Sequence, residues 1–369
     1  MKSKMRDRRY EFGNGQSGTQ VVGQLVAIRN AGAGSYCRSG STNASSRSVS
    51  VLGRVILVSF LFATFSNETA FAWAHRGHAL IATSAAYVLA KESPMLKEKS
   101  FDLEYYSNVP DKIWKDDKSV EMSERPEHYM NLEIYQRELK AQKIPFLKNR
   151  DEFFKKFPAL ADQGGRAYWR VAELSDDLSE IALQLRVSDG SDVAKHQDLQ
   201  MKWLVHAGIL GHYVGDLSMP LHASENKDGE ATKQKGIHGY FEADVVDEIF
   251  PSLEASLIER VKAQWPTFHS QNAKKDAFDL MVELGYDSLS KKDELLELDK
   301  TKGRNLKNAS AQYRVLILDR LTRSSLVLAE IWSRHLGWKY SRERFFNFDP
   351  KPAYIPVHGA PQAAPAEKK

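Results

Sequence analysis

Apolar residues recur at helical spacing along most of the chain, and this pattern predicts a protein built from α-helices. Strand signals are sparse, and no tight Asn-Gly or Asp-Gly turn stands between alternating apolar and polar residues. No internal repeat and no Gly/Ser linker divides the region. The fold class is therefore all-α, with one domain over residues 73–346. Its predicted helical segments are 78–91, 164–186, 197–217, 243–264, 273–298 and 306–336.

The first 72 residues have a different composition and predict an export signal. Residues 1–46 form a polar leader, rich in Gly and Ser from residue 10, which we expect to be disordered. Residues 47–72 combine basic residues, the 11-residue apolar run VILVSFLFATF and the small-residue sequence Ala-Phe-Ala. An apolar run of this length is too short for a membrane span of about 20 residues. It is typical of a secretory signal peptide with cleavage after Ala72.

Export and cleavage would make Trp73 the first residue of the mature protein, located in the periplasm or outside the cell. The long leader also suggests a mis-assigned start, with initiation at Val51 or Leu52. At the other end, the Pro/Ala-rich residues 347–369 are expected to form a disordered tail.

The charge of the mature region excludes a strong general attraction to nucleic acid or anionic membranes. The full chain has 52 basic and 48 acidic residues, but residues 1–72 hold nine basic and three acidic ones. Residues 73–369 therefore carry a formal charge of −2. The single cysteine, Cys37, also lies before Trp73, so the mature region has no disulfide scaffold.

The segment GHYVGDLSMPLH, residues 211–222, carries the strongest chemical signal. His212 and Asp216 are four residues apart, so on a helix they project from one face and could bind one metal ion. Pro220 should end that helix and deliver His222 from a turn. A second pair, His238 and Glu242, follows at the same spacing. Either pair alone is more often a surface ion pair, but together they indicate a zinc site.

These residues resemble the pattern of the zinc-dependent phospholipase C / nuclease P-one superfamily, over residues 73 to about 245. The family consists of all-helical, secreted hydrolases with a trinuclear zinc site. The matching metal-ligand positions are Trp73, His78, Asp111 in SNVPDKIW, His128 in RPEHYMNLE, His212, Asp216, His222, His238 and Glu242.

The resemblance implies three zinc sites. The first would use Asp111, His128, His212 and Asp216, and the second His222, His238 and Glu242. The third would use the α-amine and carbonyl of Trp73 with His78, bridged to the first by Asp216. An α-amine has a pKa of roughly 7.7–8, so it can bind a metal near neutral pH.

The implied reaction is hydrolysis of a phosphoric ester by a zinc-bridged hydroxide, with Asp111 as the catalytic residue that orients it or takes its proton. Asn131 and Trp114 are candidates for substrate contact, although Trp114 is equally plausible as core. Glu242 as the last ligand and the 16-residue gap from His222 to His238 favour a phospholipase-C-like phosphodiesterase.

Two alternatives stay open. The spacing Trp-x4-His is more like that of a single-strand-specific endonuclease, while a metal carrier would bind zinc without turnover. The expected substrate is accordingly a phospholipid headgroup or single-stranded nucleic acid. Nothing in the sequence implies a stable protein partner, and we expect a monomer.

Overall fold

The computed structural model describes residues 73–161, 163–188, 192–341 and 348–358. These residues are mostly helical and contain no strand, which confirms the all-α class. The leader and the signal segment predicted for residues 1–72 lie outside the described residues. None of the described helices combines the length and the apolar character that crossing a bilayer requires.

Fourteen α-helices are assigned in the described ranges. They are α1 (His75–Val88), α2 (Pro94–Glu98), α3 (Ser100–Tyr106), α4 (Val109–Lys112), α5 (Lys118–Glu124), α6 (Leu132–Leu139), α7 (Arg150–Lys156), α8 (Ala167–Val187), α9 (Val193–Ser218), α10 (Ile237–Gly239), α11 (Val245–Asn272), α12 (Ala277–Ser290), α13 (Lys292–Lys302) and α14 (Leu306–Ser333). Short 3₁₀ turns join several of them, at Trp114–Asp116, Arg125–His128, Pro158–Leu160, Pro220–Ala223 and Glu230–Thr232. One π-helical turn, Tyr240–Asp244, connects α10 to α11.

Five of the six predicted helical segments correspond to single long helices, with ends shifted by a few residues. The segment predicted at 273–298 is wrong as one helix, because it is divided into α12 and α13 at Lys291. The Ser290 hydroxyl donates to the Asp287 carbonyl at 2.6 Å, and such local side-chain bonds compete with a continuing helix. The short helices between residues 94 and 156 carried too little periodicity to be predicted.

Helix α9 lies at the centre of the fold, and its second half is buried on all sides. It packs against α1, α3, α8 and α14, while α11 and α14 pack along each other beside α1. Gly208 permits the close approach of α3, because a Cβ atom there would lie 2.4 Å from the Cβ of Tyr106. The helix ends at Ser218, as the following Met219-Pro220 predicts, and the Pro220–Ala223 turn changes the chain direction.

Part of the C-terminal tail packs on the domain, which corrects the prediction of disorder for residues 348–358. Val357 is buried, and the Tyr354 ring meets Trp114 edge to face at 5.0 Å. The Trp114 indole N–H donates to the Pro352 carbonyl at 3.2 Å. Aromatic and proline residues give this extended segment apolar surface to bury, although its composition resembles that of a disordered tail.

Candidate metal centre

The eight side chains predicted as metal ligands come from five regions of the chain, and all are buried. His78 lies on α1, Asp111 on α4, and His128 at the end of a 3₁₀ turn; the others lie on α9 and on the segments that follow it. Each is at most 9% exposed. Burying so many ionisable groups is costly unless they pair with one another or coordinate a metal.

Asp216 lies at the centre of the first set of candidate ligands. Its Oδ1 atom is 3.2 Å from His78 Nε2. Its Oδ2 atom is 2.7 Å from His128 Nδ1 and 3.4 Å from His212 Nε2. The imidazoles of His78 and His212 stack with centroids 4.2 Å apart. One carboxylate thus contacts three imidazole rings, as a bridging ligand would.

Asp111 joins this set at the same His212 nitrogen that Asp216 approaches. Its Oδ1 atom is 3.6 Å from His212 Nε2 and 4.0 Å from His128 Nδ1. The ammonium group of Lys115, one helical turn further on, forms an ion pair with the same carboxylate. His78, Asp111 and His212 therefore form one group able to hold a metal ion, and His128, His212 and Asp216 form an overlapping one.

His222, His238 and Glu242 form the other group. The Nε2 atoms of His222 and His238 are 3.1 Å apart, and His238 Nε2 is 2.9 Å from Glu242 Oε2. Glu242 lies on the π-helical turn, and such turns often occur at functional sites. The four-residue spacing therefore does bring His238 and Glu242 together, although the backbone between them is not a regular α-helix.

Backbone carbonyls fix the orientation of three of these histidines. The Nδ1 atoms of His212, His222 and His238 lie 2.9, 2.7 and 2.6 Å from the carbonyl oxygens of Ser107, His128 and Lys227, respectively. Because a carbonyl only accepts, each Nδ1 carries the proton. The rings of His212 and His222, which burial keeps neutral, therefore direct an Nε2 lone pair into the site. Burial opposes a charge on His238, but Glu242 and the Lys227 carbonyl raise its pKa, so its Nε2 atom can hold a proton between itself and Glu242.

The electrostatics also favour a cation. Burial lowers the pKa of His212 and of His222 to about 3, so both rings are neutral. Burial opposes ionisation of Asp111 and Asp216, but the surrounding histidines and, for Asp111, Lys115 lower the pKa of both carboxyl groups. Burial raises the pKa of Glu242 to about 7, with a partial offset from His238. Neutral imidazoles and ionised carboxylates bind metals, and four groups of the site have these protonation states: His212, His222, Asp111 and Asp216.

Trp73 lies against both groups of candidate ligands. Its backbone N–H donates to Glu242 Oε2 at 2.9 Å, and its carbonyl accepts from the His78 N–H at 3.4 Å. The buried indole donates to the Ser218 hydroxyl at 2.8 Å. A φ of +32° places the Trp73 backbone in a region that residues with side chains rarely adopt. The nitrogen that cleavage after Ala72 would free is thus directed at a candidate ligand.

Two buried atoms of the site have no hydrogen-bond partner among the described residues. They are Glu242 Oε1 and His128 Nε2. A buried polar atom without a partner costs roughly 1–3 kcal/mol, so such atoms call for an explanation. Together with the facing imidazoles, they fit a metal centre. The residues present could therefore hold a metal ion.

The two predicted substrate-contact residues are buried. Asn131 is 1% exposed, and its side-chain amide donates to the Gln163 carbonyl at 2.6 Å. Trp114 is 4% exposed and packs on the C-terminal segment. Trp114 therefore has the core position that was its alternative interpretation, and Asn131 anchors a loop. In this structure neither side chain offers surface to a substrate.

Sequence reasoning missed the polar residues that support the candidate ligands, chiefly Glu124, Arg170 and Tyr213. The Tyr213 ring meets His128 and His212 edge to face at 5.2 and 5.3 Å. The hydroxyl of Tyr213 donates to Glu124, which pairs with Arg170. One signal was present, because Arg170 is a lone charge within the apolar start of α8, AYWRVA.

Comparison with known proteins adds no assignment. No family model matches the chain, and no curated protein matches it significantly. The site is therefore defined by its own geometry as a buried histidine and carboxylate cluster that could hold a metal ion.

Proposed function

We propose that this protein is an exported zinc-dependent hydrolase of phosphoric ester bonds, related to the zinc-dependent phospholipase C / nuclease P-one superfamily. The observation that carries the proposal is the convergence of all nine predicted ligand residues on one buried site. Those residues were chosen from the sequence, by spacing and by the family resemblance, and they lie up to 169 residues apart along the chain.

The donor set favours zinc over other common metals. It consists of imidazole nitrogens and carboxylate oxygens without a thiolate, and zinc hydrolases use such ligands. Hard cations such as Mg²⁺ and Ca²⁺ prefer sites built from oxygen alone. Three ions are proposed, two held by the side-chain groups and one shared by Trp73, His78 and Asp216. Cleavage after Ala72 would turn the Trp73 N–H, now a donor to Glu242, into an amine able to bind a metal.

Bound zinc would act as a Lewis acid and lower the pKa of a coordinated water molecule. The chain's own residues would perform the remaining tasks. Asp111 is ionised and lies at the edge of the cluster, where it can orient a nucleophile or accept its proton. Lys115, paired with Asp111, supplies positive charge that can contact a phosphate oxygen once the carboxylate is engaged elsewhere. No covalent enzyme intermediate is required.

A phospholipase-C-like phosphodiester activity is our first choice of substrate class. It rests on Glu242 as the last ligand, on the short interval between His222 and His238, and on the charge of −2 over residues 73–369. A near-neutral net charge gives no general attraction to a nucleic-acid backbone.

One structural observation favours the single-strand nuclease as a second candidate. The Lys227 ammonium lies 4.1 Å from the ring centroid of Tyr129. Both residues adjoin candidate ligands, because Tyr129 follows His128 and the Lys227 carbonyl accepts from His238. An aromatic ring beside an ammonium group could stack on a base and contact its phosphate.

The test uses mature protein beginning at Trp73, with zinc content measured by atomic emission. Hydrolysis of bis(p-nitrophenyl) phosphate should occur, should stop with a chelator and should return with zinc. Phosphatidylcholine, single-stranded DNA and RNA, assayed side by side, then decide the substrate. Zinc-loaded protein that hydrolyses none of these would refute the hydrolase and favour the non-catalytic zinc-binding protein.

A pair of histidine variants on α9 controls for damage to the fold. His212→Ala should lower hydrolysis at least about 100-fold, because loss of even an outer-shell partner can cost that much. His206→Ala should leave hydrolysis unchanged, since the His206 ring bonds the Lys202 carbonyl of its own helix at 2.8 Å and contacts none of the candidate ligands in the described part of the chain. Equal losses in the two variants would contradict the assigned site. Amino-terminal sequencing of the exported protein tests cleavage after Ala72.

A further inference from the structure

Arg170 is a fully buried arginine in the first turn of α8, and it is not itself a candidate ligand. Its guanidinium forms an ion pair with Glu124, with Nη2 and Oε1 3.1 Å apart. The same guanidinium lies 5.4 Å from the ring centroid of Tyr213. A buried ion pair of this kind is weak evidence for stability, because desolvation offsets most of the attraction. Its location therefore needs another explanation.

A continuous series of contacts joins Arg170 to two candidate metal ligands. Glu124, held by Arg170, accepts a hydrogen bond from the Tyr213 hydroxyl. The Tyr213 ring in turn lies edge-on against both His128 and His212. His212 is also held by the Ser107 carbonyl, whereas the His128 Nδ1 atom, within the described residues, contacts candidate ligands and no backbone carbonyl. The packing of the Tyr213 ring thus restrains the imidazole rings of His128 and His212.

The C-terminal segment, residues 348–358, supplies the remaining partners of Arg170. The guanidinium donates through Nη2 to the Ile355 carbonyl at 2.6 Å and through Nη1 to the Pro356 carbonyl at 3.2 Å. Both acceptors lie 185 residues or more along the chain from Arg170. Contacts of Tyr354 and Pro352 with Trp114 keep the segment in place. Without the segment, the buried guanidinium would lose two hydrogen bonds and keep the ion pair with Glu124.

We propose that Arg170 is a positioning residue for the metal centre, and that the C-terminal segment holds Arg170 in place. The inference rests on the metal binding in the proposed function, but not on hydrolysis or on a choice of substrate. Arg170 fixes Glu124, Glu124 fixes the Tyr213 hydroxyl, and the Tyr213 ring sets the orientation of His128 and His212. The segment at the end of the chain is accordingly part of the site's support.

Cobalt binding tests this role without any assay of turnover. Mature protein is titrated with Co²⁺, whose visible absorption reports both affinity and ligand geometry. Arg170→Gln should bind Co²⁺ about 10–100-fold more weakly, the usual effect of losing an outer-shell partner, and its absorption bands should shift. Tyr213→Phe, which keeps the ring and removes only the hydroxyl, should show a smaller change in the same direction.

Arg320→Gln is the matched control. Arg320 is equally buried, at 2% exposed, and pairs with Asp287 and Asp319 at 2.9 and 2.6 Å. Neither partner is a candidate ligand. Its substitution should lower the unfolding temperature but leave Co²⁺ affinity and the absorption bands unchanged. If both arginine variants lower stability and neither alters Co²⁺ binding, Arg170 is merely structural and the proposal is wrong.

A substitution in the C-terminal segment of the full-length mature chain provides a second route if Arg170→Gln does not fold. Tyr354→Ala removes the ring that packs on Trp114 and should bind Co²⁺ more weakly than wild type. Tyr354→Ala protein with wild-type Co²⁺ affinity and unshifted absorption bands would overturn the role of the segment. If wild-type protein binds no Co²⁺, the proposed metal centre itself is wrong. If wild type and variants bind Co²⁺ equally well, the metal centre stands and only the positioning role of Arg170 is wrong.

Discussion

Gly215→Ala is the substitution whose effect on the metal centre follows most directly from the structure. Gly215 lies on α9, next to Asp216, where α1 crosses closely. A Cβ atom at this position would lie 2.7 Å from His78 Nδ1 and 3.0 Å from His78 Cε1. Ordinary contact begins at 3.4 Å, so Nδ1 must move away by about 0.7 Å. The His78 ring cannot yield freely, because it stacks on His212.

The expected effect on folding is small, while the effect on metal binding is larger. Overpacking costs about 1–3 kcal/mol, and replacing a helical glycine by alanine recovers about 1 kcal/mol. The free energy of unfolding of metal-free protein should therefore fall by about 0–2 kcal/mol. The displaced ring alters the 3.2 Å separation between His78 Nε2 and Asp216, so zinc affinity should fall about 10–100-fold.

Gly211→Ala, one turn earlier on α9, is the control. Its new Cβ would lie 3.1 Å from Leu328 Cδ2, the movable end of a flexible side chain outside the site. Urea unfolding of the metal-free proteins gives the stability change, and competition with a chelator of known affinity gives the zinc affinity. If both alanine variants bind zinc as tightly as wild type, the positioning of His78 by close packing on Gly215 is refuted.

Three further predictions concern the terminus, the bridge and the pH response. A mature chain with one extra residue before Trp73 should lose one zinc ion and most hydrolysis, because an amide replaces the α-amine; unchanged zinc content would exclude terminal ligation. Asp216→Asn should reduce zinc content and hydrolysis more than His78→Ala, since Asp216 contacts three imidazoles; equal losses would argue against a bridge. Burial raises the pKa of the Glu104 carboxyl group to about 7, so the native state favours the protonated, neutral form. Protonated Glu104 stabilises the native state fully at a pH below the pKa of Glu104 in the unfolded chain. The native state loses this stability as the pH rises through about 7. Glu104→Gln, neutral throughout, should therefore be about 1–2 kcal/mol more stable than wild type at pH 8.5 and nearly equal to it at pH 4 in urea unfolding; an equal difference at both pH values would contradict this reasoning.

Structural features that depend on residues within one or two helical turns of each other were predictable from the sequence. Helical periodicity gave the class and most of the long helices, and four-residue spacing brought His238 next to Glu242. Pro220 ended α9 because it lacks the N–H that a helix requires. The division between α12 and α13 was not predicted, since no Pro or Gly marks it and the bond from Ser290 to Asp287 is a weak local signal.

Some ligand residues were assigned by their order along the chain, and only the folded structure shows where they lie. Asp111 and His128 were chosen by resemblance, and the structure places both beside His212. The expectation for Trp114 shows the limit of such reasoning. Its proximity to Asp111 in sequence suggested a substrate cleft, whereas the C-terminal segment, more than 200 residues away, buries it.

The sequence by itself determined which side chains are able to bind a metal and how neighbours within one helical turn are arranged, because backbone geometry fixes distances over that range. Only the tertiary structure decided that Asp216 contacts His78 and His128 as well as His212, that the Ser107 carbonyl orients His212, and that Arg170 receives partners from the end of the chain. Apart from the contact of Asp216 with His212, these contacts join residues 88 to 186 positions apart. Their distances depend on how whole helices pack, and no local spacing rule encodes that.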